Sequence, residues 1–188
     1  MDDMLEKYVA NQIIALLILA KKIPMCYNGS MINLKNAIKF DNYPHDLDNF
    51  RLKAAENHFL VRAITDNSMM DLQQFVVLRE ARRRIIGNAV MIQEQQAETM
   101  LGAVEYARLL ALNKTSRADF MDEISQHMAM LGNARNIFDM AGISVSVGCL
   151  ICFALRSLGI SFDLKETDMI YEAIPHEISE IERIFNEE

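Results

Sequence analysis

Residues 143–155 read I143-S-V-S-V-G-C-L-I-C-F-A-L155, a run with no charged residue. It decides the fold class. Strands do not alternate here, and Val145, Val147, Leu150, Ile151, Phe153, Ala154 and Leu155 occupy every side of a helix, so the spacing predicts a helix buried all round. Gly159 sits just past its end as a C-terminal signal, Ser144 is the expected N-cap, and the helix is expected over Val145–Leu158. The rest of the chain must then wrap around it.

The flanking sequence is helical in character. The 188 residues include few breakers, seven Gly and three Pro. Ala, Leu, Met, Glu, Arg and Gln abound, and β-branched residues form no alternating runs. Helices are expected at about 3–22, 31–40, 46–63, 117–130 and 145–158, with short ones between and after them. From Met69 to Leu112 there is no proline and no turn cluster, so one long helical segment is expected. Gly87-Asn88 or Gly102 are the places where it would bend or split. Val76, Arg83, Val90, Ala97, Val104 and Ala111 recur every seven residues along it and would form one seam. The expected architecture is all-α: an irregular bundle of about seven to eight helices around the central apolar helix 145–158, forming a single domain over residues 1–188.

Two apolar runs raise the question of a membrane. I13-I-A-L-L-I-L-A20 follows acids rather than bases, and both it and 143–155 are shorter than a bilayer-spanning helix. A cytoplasmic chain without a membrane partner is expected. The net charge of −7 is unevenly placed. Nine acids and two bases fall within 163–188, leaving the preceding residues balanced. This acidic C-terminus would repel a phosphate backbone, which disfavours nucleic acid as a partner.

The central run contains Cys149 and Cys152, a C-x2-C spacing. A second C-x2-C or an H-x3-5-H half is missing, and a redox couple wants its first Cys exposed at a helix start. Surrounded by large apolar residues, the pair is read as plain core. With Cys26, three cysteines fit a reducing compartment. No metal and no cofactor is expected.

On a helix His58 and Arg62 project about 20° to either side of Arg51. Leu47, Phe50, Ala54 and Val61 flank them on one side, and Leu52, Ala55 and Phe59 on the other. Asn49, Lys53 and Glu56 are assigned to a separate polar face. A strip of two arginines and a histidine between apolar flanks suits an anion or phosphate pocket, with His58 as general base and the arginines stabilising phosphorane charge. R51-L-K-A-A-E-N-H58 resembles the loose arginine–histidine pattern of HEPN-type helical ribonucleases, which would imply RNA cleavage. The commoner arrangement is arginine stems lying along apolar surface and pairing with acids, here those of the C-terminus.

R79-E-A-R-R-R84 places Arg79, Arg82 and Arg83 on one side and Arg84 elsewhere, with Glu80 and Arg84 at pairing distance. The preferred reading is a salt-bridged helix face; the alternative is a DNA-associated regulator using Arg79–Arg84. The turn-like A-G-I-S144 does not begin a base-reading helix, because the residues after it are apolar. Thirteen methionines are mostly core filler, with Met69-Met70 the best exposed pair. His127 is expected at the margin of a core face with one hydrogen bond. HExxH, ExxH, Walker and GxSxG patterns are all missing, so an enzyme is the less favoured class. The expectation is a non-enzymatic helical interaction module, such as an adaptor, inhibitor, immunity or regulatory protein. It would bind a protein partner through helix faces that include Met69, Met70, Arg79, Arg82 and Arg83, with a possible homodimer through the 69–112 helix.

Overall fold

A computed structural model describes Phe40, residues 43–164 and residues 169–175. The helices expected at 3–22 and 31–40 (Phe40 apart), the apolar run 13–20, Cys26, and seven of the nine C-terminal acids lie outside the described residues. Within them the chain is all-helical: α1 (Leu47–Thr65), α2 (Met69–Ile86), α3 (Asn88–Thr115), α4 (Arg117–Gly132) and α5 (Met140–Ser157). Short 3₁₀ turns lie at Ala134–Phe138 and Ile170–Ala173. Five α-helices among the described residues is fewer than the seven to eight expected for the chain.

Local chemistry sets the helix ends. The Asp46 carboxylate accepts from the backbone N–H of Asp48 and Asn49 and starts α1. Asn67 turns the chain at φ +49°, and the Ser68 hydroxyl accepts from Asp71 N–H at 3.1 Å to start α2. Ser116 caps α4 in the same way. The segment 69–112 is two helices. Gly87 adopts φ +85°, which a side chain would resist, and this single residue divides α2 from α3. The expected sevenfold seam is therefore not continuous.

Gly102 does not break α3. It lies where α3 crosses α5: a Cβ built on Gly102 would come within 2.4 Å of Gly148 backbone, and one on Gly148 within 1.9 Å of the Glu98 carbonyl oxygen. The two backbones touch there, which only a glycine pair permits.

The central helix is longer than expected and starts earlier. Asp139, not Ser144, is its N-cap, accepting from Gly142 N–H at 2.9 Å. Ser144 and the A-G-I-S sequence lie within the helix, so the chain makes no turn there. Gly159 closes α5 at φ +72°, with Ile160 N–H donating to the Leu155 carbonyl, as the sequence anticipates. α5 is long and apolar enough to cross a membrane by length and composition, but most of it is buried inside the bundle. Cys149 and Cys152 are both fully buried there. Burial raises both thiols well above their ordinary range. The core gathered around α5 is continuous and takes in Leu60, Leu72, Phe75, Tyr106, Leu109 and Ile170.

The glycine crossing gives a direct test. Gly148→Ala is expected to cost about 3 kcal/mol in urea unfolding, because its Cβ meets rigid backbone. Gly132→Ala, with nothing within 4 Å, is expected to stay within about 0.5 kcal/mol of the parent.

Candidate functional site

The most concentrated polar chemistry among the described residues is inside the bundle. Lys53 and Glu56 enter from α1, Arg79 and Arg82 from α2, and Glu94 and Glu98 from α3, and all six side chains are fully buried. Three cations face three anions, so the group is neutral as a whole. Arg79 donates through Nε to Glu56 at 2.8 Å and through Nη2 to Glu98 at 2.8 Å, with further contacts to both carboxylates. Arg82 donates through Nη1 to Glu56 at 2.5 Å, through Nη2 to Glu94 at 2.6 Å and through Nε to Asn49 at 3.0 Å. Lys53 pairs with Glu94. Tyr43 lies across one side, accepting from Arg82 and donating to Glu94, each at 2.9 Å. The Phe75 and Tyr171 rings lie over the Arg79 guanidinium.

The register of each helix explains the assembly. Asn49, Lys53, Glu56, Leu60 and Ala63 follow a 4-3-4-3 spacing along α1, and all are buried. Leu72, Phe75, Arg79, Arg82 and Ile86 follow a 3-4-3-4 spacing on α2 and are likewise buried. The charges thus occupy seam positions in line with apolar residues. Burial drives the Glu56 and Glu94 carboxyls up, but the guanidinium groups outweigh it and hold both below the ordinary value. Glu98 goes the other way: burial and its neighbour Glu94 raise it against the pull of Arg79. The oxygens of Glu56, Glu94 and Glu98 are close enough to share a cation, but Arg79, Arg82 and Lys53 already supply that charge.

A second, half-exposed cluster joins α3, α4 and α5. Arg108 donates to Glu105 at 2.7 and 2.9 Å and to Glu123 at 2.5 and 3.3 Å. His127 makes two polar contacts rather than one, Nε2 to Glu105 at 2.9 Å and Nδ1 to Ser146 Oγ at 3.0 Å. Burial raises the Glu105 carboxyl, but the hydrogen bonds from Arg108 and His127 prevail and hold it down at about 2.

The residues singled out in the sequence are placed differently. Arg51, His58 and Arg62 face solvent, and it is Asn49, Lys53 and Glu56, assigned to a polar outer face, that point inward. Leu47 and Phe50 do not bury that side of α1: Leu47 is exposed and Phe50 half-buried, so the flanking apolar residues gave the wrong orientation. Arg51 pairs with Asp48 at 3.3 Å, and Arg62 with Asp66 at 3.7 Å and Asp71 at 3.2 Å. His58 lines a shallow cleft with Ala54, Asn57, Leu131 and Ile137, which neither arginine reaches. The three do not form one pocket. Arg79 and Arg82 are buried and have no surface to offer a partner. Arg83 is half-buried and pairs with Glu80 at 2.9 Å. Met69 packs against the core, and Met70 is 69 % exposed.

Removing one member of the interior group strands the rest. Arg82→Ala is expected to destabilise the fold by about 3–5 kcal/mol, measured by urea unfolding, whereas Arg51→Ala on the surface is expected to stay within about 0.5 kcal/mol. The pH dependence follows from Glu105. Its folded value lies below its ordinary 4.5, so its contribution is complete above pH 4.5 and is lost as the pH falls towards about 2. Glu105→Gln is expected to flatten that acid limb of a stability–pH curve.

Comparison with known protein families, with characterised proteins and with solved structures found no match to this chain.

Proposed function

We propose that the chain is a non-enzymatic helical interaction module that binds a protein partner through the outer face of α2. The observation carrying this reading is the two-sidedness of that helix. Leu72, Phe75, Arg79, Arg82 and Ile86 are buried on one side. Met70, Gln74, Val77, Ala81 and Ile85 project from the opposite side, within about 80° of one another at 100° per residue. All five are exposed or half-buried. Met70 is 69 % and Ile85 44 % exposed. Four of the five are apolar, and the stripe runs for about 22 Å along the axis.

Such a line is more than a scatter of surface hydrophobics, and it suits the face of another helix. Met70 provides adaptable packing at one end and β-branched Ile85 a firmer contact at the other. The ionic group behind the stripe fixes α2 in rotation and so keeps this face outward. A second copy of the chain meeting it through the same stripe is the homodimeric form of the reading. Met70 stays in the proposed partner surface, Val77, Ala81 and Ile85 join it, and Arg79 and Arg82 become its internal support. A ribonuclease built on Arg51, His58 and Arg62 loses its pocket, and a DNA contact through Arg79–Arg84 loses its two buried arginines.

Native mass spectrometry of the full chain, gently purified from its own host, tests this. A complex or homodimer is expected to fall at least tenfold in abundance in Met70→Asp/Ile85→Asp, with the urea midpoint unchanged. It should persist in Ala118→Asp, a control on the exposed side of α4. An assembly that survives the double substitution rejects the α2 face.

A further inference from the structure

The half-exposed cluster on α3 and α4 has a feature that a salt bridge alone does not account for. Ser146 Oγ donates its single proton to the Gly142 carbonyl at 3.2 Å. The same hydroxyl lies 3.0 Å from His127 Nδ1. That contact fixes the ring and aims Nε2 at Glu105 Oε1, 2.9 Å away. At that separation the two atoms are joined by a proton on Nε2, and a metal ion can take that proton's place. Glu123, one helical turn before His127, brings a third donor to the same point. The ligand atoms of Glu105, Glu123 and His127 all lie within 4.8 Å of one another.

We propose that Glu105, Glu123 and His127 form a site for a divalent transition metal of the zinc type, with Arg108 as the movable cation that takes its place when no metal is bound. The donor set suits this class, with one imidazole nitrogen and two carboxylates leaving a fourth position for water. Ligands about 2.0–2.2 Å from one ion stand at most about 4.4 Å apart, so closure requires a small swing of Glu123. Its side chain is 35 % exposed and paired with Arg108, so the swing accompanies release of that guanidinium. The Ser146 contact is the outer support that a metal-binding histidine needs, fixing the tautomer and the ring plane.

Charge permits the exchange. A divalent ion in place of the guanidinium neutralises the two carboxylates, with the imidazole as a neutral ligand. Access decides between the two carboxylate clusters. Glu56, Glu94 and Glu98 are sealed and held by three buried cations. The Arg108 side chain is 33 % exposed and reaches the carboxylates from the open edge of the cluster.

Zinc titration of the full chain by calorimetry is the test, with folding of each variant checked by circular dichroism. One zinc per chain is expected, with at least tenfold weaker binding in His127→Ala and in Glu123→Gln. Ser146→Ala is expected to weaken it by about tenfold. Arg108→Gln is expected to bind zinc more tightly than the parent, the opposite of a purely structural ion pair. Glu123 is at the surface, so Glu123→Gln stays informative if His127→Ala fails to fold. No zinc binding by the parent chain overturns the proposal, as does binding that is unchanged in Glu123→Gln, which would point instead to cysteine thiols. Binding that appears only in Arg108→Gln also overturns it for the native protein.

Discussion

Six charges with no access to water set the terms for this bundle. A guanidinium cannot shed its proton at any ordinary pH, so Arg79 and Arg82 must be neutralised where they lie. Glu56 reaches both, Glu98 completes the first and Glu94 the second. Every pairing joins two helices, and with Lys53–Glu94 all three pairs of α1, α2 and α3 are linked, which fixes their rotation and axial register. Apolar side chains tolerate a shift of a few tenths of an ångström. A bidentate guanidinium–carboxylate pair tolerates far less before a buried donor is left without an acceptor. The interior group is better understood as a device for specifying one packing than as a source of stability, since burying the charges costs about as much as pairing them returns.

The other rigid element is the contact of α3 with α5. Gly102 and Gly148 allow the two backbones to meet, which brings α5 close enough to be enclosed and leaves Cys149 and Cys152 without solvent contact. α3 thereby serves two surroundings along its length. Glu94 and Glu98 turn into the ionic interior, and further along Glu105 and Arg108 turn towards α4 and the surface. The same kinds of residue on one helix thus give a sealed structural group at one place and an accessible cluster at another. What differs is the neighbour: α1 and α2 cover the first, while α4 leaves the second open at its edge.

The two errors of orientation have a common cause. On α1, Leu47 and Phe50 pointed to one burial direction, and Lys53 and Glu56 seemed to mark the opposite, solvated face. The buried line instead runs Asn49, Lys53, Glu56, Leu60 and Ala63, polar in its first half and apolar in its second. On α2 the cluster R79-E-A-R-R-R84 is salt-bridged, as its pattern suggested, but Arg79 and Arg82, read also as partner surface, continue the buried line of Leu72 and Phe75. The unbroken three-and-four spacing from polar into apolar residues was the available signal. Hydrophobicity obscured it, because a charge counts as exposed until its partner is known. The acids that neutralise these arginines lie 12 to 26 positions away in the chain, on separate helices.

The sequence by itself determined the class and the centre of this protein. An uncharged helix around 143–155, few breakers and Gly159 as a C-terminal signal point to an all-helical chain with α5 inside, because periodicity, helix-end signals and burial of apolar runs are local properties. It also identified Gly87 as a possible division and read the cysteine pair as core. Only the tertiary structure decided which face of α1 and α2 turns inward, that Gly102 and Gly148 meet, and that Glu105, Glu123 and His127 converge. Those outcomes depend on groups distant in sequence arriving at one place, where desolvation makes an unpaired charge intolerable and a paired one the most restrictive contact in the fold.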